Sequence, residues 1–192
     1  MTAETLLINE NYLRKYTSVN DAVDVNLMRT AIYLAQDKYL ENYLGTELVK
    51  RLKLEVSNLI ADPAYIVPTE YLTLLEDYVA KALVWWTMVE LYPDLAYKHD
   101  NGNIVRKLSE DTETISQGQL GQLMERARSN AKHYTQILID YVRINVSLYP
   151  EYNTNSKPDK HPSQQVSTTT GMVFSGGYNS PKWRIEDVKS PS

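Results

Sequence analysis

The chain has 192 residues, 43% of them hydrophobic and 23% charged, with a formal net charge of −4 at pH 7; that is enough for one sizeable core, or for one domain plus an appendage. Residues 1–150 carry 15 Lys+Arg against 20 Asp+Glu, and residues 151–192 carry 5 against 4, so neither part is a polybasic surface suited to general phosphate-backbone binding. Cysteine is absent, which excludes disulfide staples, thiolate metal sites and thiol catalysis.

The N-terminal "MTAETLLINENYLRKY" has neither the basic start nor the long apolar run of a signal peptide. The longest apolar run, Ala82 to Trp86, is far too short to span a bilayer. A soluble intracellular product with no membrane partner is the expectation.

Helical periodicity dominates residues 20–149. In "NLMRTAIYLAQDKYLENYLG" the apolar positions Met28, Ile32, Ala35, Tyr39 and Tyr43 recur at steps of three and four, and Gly45 provides the stop. Thr46 is placed to cap a second helix with Leu48, Val49, Leu52, Val56, Leu59 and Ile60 on one side. "DPAYIVP" breaks the pattern with two prolines. Thr69 starts a third helix that is apolar on most sides, from Leu72 through Trp85 and Trp86 to Val89, and therefore central to a core; Tyr92-Pro93 is read as its end.

"DLAYKHDNGNIVRKLSEDTETISQGQ" follows, a polar excursion with a turn signal at Asp100-Asn101-Gly102-Asn103 between β-compatible pieces, so a hairpin is expected within about 94–118. A loop this long inside a compact domain is usually functional or disordered. The longest helix is expected from about Gln119 to Leu148, with Leu120, Leu123, Ala127, Ala131, Tyr134, Leu138, Tyr141, Asn145 and Leu148 inward and Arg128, Lys132, Gln136, Asp140 and Arg143 outward; Pro150 stops it. Residues 150–170 read as a polar linker. The fold class is therefore mainly α: a small bundle of about four to five helices in residues 1–149, a hairpin or long-loop insertion before the last helix, and an extended C-terminal arm over 150–192.

Little in the chain promises chemistry. His99, His133 and His161 have no partner at metal-ligand spacing. Glu76 and Asp77 are adjacent and so point to different faces of a helix, while Glu110, Asp111 and Glu113 sit in an acidic loop. "SQGQLG" lacks the Lys-Ser/Thr of a phosphate loop and reads as the lead-in to the last helix. No serine sits in a nucleophile-elbow pattern. No catalytic residue, metal or cofactor is expected. Aromatic content is more informative: 13 of 15 tyrosines lie within residues 1–150, several at boundary positions such as Tyr12, Tyr16, Tyr65, Tyr97 and Tyr149, the placement of side chains packed at one end and wet at the other.

The arm holds the sole phenylalanine, Phe174, together with Trp183 and three of seven glycines in "GMVFSGGYNSPKW". Thirteen residues with three glycines lose too much entropy to form a core alone. The residues point to strand addition or side-chain docking on another subunit, with Val173 in the extended part and Phe174, Tyr178 and Trp183 as anchors; a disordered end and a strand folded back on its own domain are the alternatives.

The stretch "AIYLAQDKYLENYLGTEL", with Ala31, Ala35, Tyr39, Tyr43, Leu44 and Gly45 followed by Leu48, resembles the head–tail connector (adaptor) proteins of tailed bacteriophages. Those proteins share an early alanine-spaced helix ending in a Tyr-Leu-Gly-like stop. The later apolar helix from Tyr71 to Tyr92 and the step Asn101-Gly102-Asn103-Ile104 before the last helix extend the resemblance over about residues 5–148, closest in flavour to crAss-like phage connectors. It implies a structural virion protein of the neck, without an active site: a homo-oligomeric ring, typically twelve-fold, beneath the portal protein, in contact with another connector or tail protein, and with genomic DNA only as passing cargo. It also implies that residues 101–104 face the channel or a neighbouring ring. The acidic body suits a conduit through which DNA slides. The alternative from a different class is a helical nucleic-acid-binding regulator using Arg126, Arg128, Lys132 and Arg143; a small hydrolase or nucleotide enzyme is the third.

Overall fold

A computed structural model describes residues 4–100, 103–106, 116–152, 160–163 and 166. The described residues are mainly helical, as the periodicity requires. Helix α1 is Glu10–Tyr16, with the Asn9 side chain accepting the Tyr12 amide. A first rod follows, made of α2 (Val25–Ala35), a π-helical turn (Gln36–Leu40) and α3 (Glu41–Leu44). Helix α4 is Thr46–Ala61. A second rod joins α5 (Thr69–Thr73), another π-helical stretch (Leu74–Val79) and α6 (Ala80–Ala96). Strands β1 (Tyr97–Asp100) and β2 (Asn103–Arg106) pair antiparallel, Tyr97 opposite Arg106 and Asp100 opposite Asn103. Helix α7 is Gln117–Ile144, trailed by 3-10 turns at Val146–Leu148 and Pro150–Tyr152.

The second rod is the centre of the body. The first rod packs on one side of α6 and α7 runs along another. One apolar cluster joins Leu13, Met28, Ile32, Leu83, Trp86, Leu91 and Ile139, and the other joins Leu44, Leu48, Leu52, Leu74, Leu138 and Tyr149. Each such side chain taken fully from water contributes about 1.5–3 kcal/mol. Trp86 ties the layers together: its ring stacks on Tyr39 at 3.9 Å and its Nε1 donates to the Thr135 hydroxyl on α7 at 2.9 Å.

Several boundaries differ from the sequence reading. Gly45, at φ +77°, is both the stop of α3 and the N-cap of α4, so Thr46 is already helical and caps nothing with its side chain. Leu59 and Ile60 are exposed, because the buried face of α4 runs instead through Leu48, Val49, Leu52 and the charged Glu55. Pro93 does not end the third helix. It sits in the last turn, where it costs one helical hydrogen bond, yet the helix continues to Ala96 and the Tyr97 amide donates to the Pro93 carbonyl. The longest helix starts earlier than Gln119, because Ser116 and Gln119 form a reciprocal capping box, and it stops at Ile144 rather than Leu148, which is exposed. The short helix α1 lies ahead of the periodic region and was not expected.

The chain beyond residue 149 returns to the body, past the expected start of the arm. Tyr149 and Tyr152 are buried. Ser163 donates its amide to the Asn42 carbonyl at 2.9 Å, Thr46 donates to the Lys160 carbonyl at 3.4 Å, and Val166 packs against the first cluster. Pro162 covers Gly45 so closely that a Cβ there would lie 3.0 Å from its Cδ.

Candidate functional site

Of the residues singled out in the sequence, Val173, Phe174, Tyr178 and Trp183 lie outside the described residues, as do Asn101 and Gly102. Asn103 and Ile104 begin β2, opposite Asp100 and His99 of β1. His133 is exposed and meets Tyr134 edge to face at 5.3 Å; His161 is exposed in the returning segment. Glu76 and Asp77 are both exposed, and Asp77 pairs with Lys81 one turn on, at 3.7 Å. Among the described residues no group of three or more His, Cys, Asp or Glu side chains is placed to hold a metal ion. No described helix is long and apolar enough to cross a membrane.

Of the basic positions of α7, Arg128, Lys132 and Arg143 fall within about 60° of one another round the helix, and Arg126 falls on the opposite side. Arg128 pairs with Glu125, Gln136 donates to Asp140, and Arg126 lies in the wall of a groove, on a different side of the helix from Lys132 and Arg143.

Tyrosines and carboxylates form the most connected polar arrangement. The buried Glu55 carboxylate faces Arg51 at 2.7 Å and accepts the Tyr65 hydroxyl at 2.6 Å. Arg51 lies over the Tyr71 ring at 5.0 Å, and Tyr71 donates to Glu151 at 2.9 Å. Tyr149, expected at a boundary, is the largest fully buried side chain among the described residues and donates to the Glu70 carbonyl at 2.9 Å. Burial and then the Glu151 carboxylate push the Tyr71 phenol up to about 12. Burial raises Tyr149 as well, and burial followed by the Glu90 carboxylate, 2.6 Å away, raises Tyr39. Phenols raised in this way stay neutral and are poor proton donors near neutral pH; Tyr71 and Tyr149 tie α5 to the 3-10 segment, and Tyr39 ties the first rod to α6. Charge alternation offers no hint of them, since Glu55 reads in the sequence as one more solvated charge.

Among the described residues an open groove lies between α1, α6 and α7. Trp86 faces the first rod, and Trp85, about a quarter-turn round α6, faces the groove and remains half-buried. On one side of Trp85 a cavity of about 230 Å³ is lined by Tyr12, Tyr16, Lys81, Val84 and Tyr134. A second, of about 210 Å³, shares Trp85 and is walled by Thr17, Met88, Tyr92, Leu123 and Arg126. The Tyr12 and Tyr16 rings meet at a tilt of 45° with centroids 4.6 Å apart, and Tyr16 is 52% exposed. Aromatic walls rimmed by Lys81 and Arg126 suit an apolar or aromatic side chain carried on a polypeptide. The signal in the sequence was the apolar surface of the third helix extending past one face, through Trp85 and Met88.

No curated protein and no solved structure matches the chain. A family model described as a family of unknown function (DUF6712) matches residues 40–162, from the π-helical turn of the first rod through the returning segment that covers Gly45. The chain belongs to this family.

Proposed function

We propose that this chain is a structural subunit of a virion: one copy in an oligomeric ring of the head–tail connector below the portal, continuing the DNA channel and joining head to tail. The observation that carries the reading is the open aromatic groove across Trp85, beside two apolar clusters that are packed within the body. Ile137 and Ile144, seven residues apart on α7, are also exposed, Ile144 by 81%. Ile60 and Ile66 are exposed elsewhere, at the connection from α4 to α5. Separate apolar areas on one body are what a head-to-tail ring uses, since each copy meets its neighbours through two different surfaces. The connector resemblance over residues 5–148 supplies the biological setting.

Light scattering during size-exclusion chromatography, on the chain alone and mixed with a portal protein, tests this. The reading expects a discrete multi-copy particle, alone or on the portal. A monomer in both cases that retards duplex DNA, less so as salt is raised, would favour the nucleic-acid-binding regulator instead.

A further inference from the structure

The groove at Trp85 and the arm beyond Val166 fit one another. We infer that the groove is the receptor for residues 171–183 of a neighbouring copy of this chain, with Phe174 and Tyr178 seated in the two cavities on either side of Trp85. The inference rests on the assembly reading above and names the surfaces that make the contact.

Four observations carry it. The cavities, about 230 and 210 Å³, each take an aromatic ring, because about 150 Å³ already holds benzene. Their span along α6, from Lys81 to Tyr92, is about 16 Å; Phe174 and Tyr178, four residues apart, reach about 13 Å when extended. The 26 residues after Val166 include Met172, Val173, Phe174, Tyr178 and Trp183, an apolar content that calls for a surface outside the segment itself. Finally, the returning segment is tied to Asn42, Thr46 and Gly45 and reaches Val166 against the first cluster; the eight residues from Val166 to Phe174 span about 26 Å when extended, enough to leave the body for a neighbour's groove. A head-to-tail contact brings one copy's anchored arm to the next copy's groove.

The chain has no cysteine, so single introduced thiols report the contact in the full-length protein. Lys81→Cys marks the groove, Ser175→Cys marks the arm, and Ser57→Cys, exposed on α4, is the control. Equimolar mixtures of singly substituted chains are oxidised, and light scattering follows assembly on the same samples. The expected result is a disulfide-linked pair from Lys81→Cys with Ser175→Cys, about ten-fold more abundant than from Ser57→Cys with Ser175→Cys, as a raised effective concentration requires. Equal yields for both pairings overturn the inference. So does a disulfide that forms only within a chain carrying both Lys81→Cys and Ser175→Cys, which would seat the arm in its own groove. A multi-copy particle without the selective disulfide removes the groove contact and leaves the ring reading standing; a selective disulfide in particles no larger than pairs supports the contact and counts against the ring.

Discussion

Replacing Arg51 with alanine leaves the buried Glu55 carboxylate with the Tyr65 hydroxyl as its remaining short contact. The expected cost is about 3 kcal/mol, because an uncompensated buried charge outweighs the modest value of the ion pair itself; chemical denaturation measures it, and Glu55→Gln, which keeps an acceptor for Tyr65, should cost less. Tyr71 makes the second residue-scale prediction. Its folded-state phenol is raised from 10.0 to about 12, so the neutral form is favoured by folding. Its contribution is complete below about pH 10 and is lost as pH rises through about 12. Alkaline unfolding followed by circular dichroism should therefore show stability falling across that window, and Tyr71→Phe should make the fall shallower. These polar struts were not legible in the sequence. Glu55 occupies an i+4 position from Arg51 that reads as an ordinary surface pair, and its burial comes with tertiary contacts that the spacing does not show, the Tyr65 hydroxyl among them.

At the scale of elements, the single-residue junction between α3 and α4 depends on Gly45. At φ +77° and ψ 159° it occupies a region essentially confined to glycine, and Pro162 and Lys160 press on the space where a Cβ would be. Gly45→Ala should cost about 1–3 kcal/mol and should increase amide hydrogen exchange at Ser163, whose bond to Asn42 closes the same junction. The π-helical turn that follows α2 carries a comparable dependence. It places Gln36 inside the body, where its side chain accepts the Leu7 amide at 3.0 Å and donates to the Thr5 carbonyl at 3.1 Å. Gln36→Ala should cost about 1–3 kcal/mol by stranding those groups, measured by thermal unfolding. The helices themselves were legible, because steps of three and four mark Met28, Ile32, Leu48, Leu52, Leu120 and Ala131, all of them buried. The π-helical turns were not, since an inserted residue shifts the inward face without changing composition. Tyr43 is buried and Tyr39 stacks on Trp86, as the steps require, while Leu40 and Leu44 of the same rod are buried in the second cluster as well.

For the whole molecule, the sequence made two features visible that bear on assembly: an apolar surplus on the third helix and aromatic residues in the arm. The first became the groove at Trp85, because Trp86 consumes the face towards the first rod and leaves its neighbour to the surface. The second lies outside the described residues, so the arm's role stands as the proposal made above. The groove's other wall was illegible, since Tyr12 and Tyr16 belong to the short helix α1, whose seven residues are too few for a periodic signal. The measurement that tests the account most directly is the mass of the full chain by light scattering, alone and with portal protein, for the native sequence and for Trp85→Ala. A closed multi-copy particle that Trp85→Ala disperses while leaving the helical circular dichroism intact is the predicted result. A native chain that stays monomeric under both conditions would contradict it.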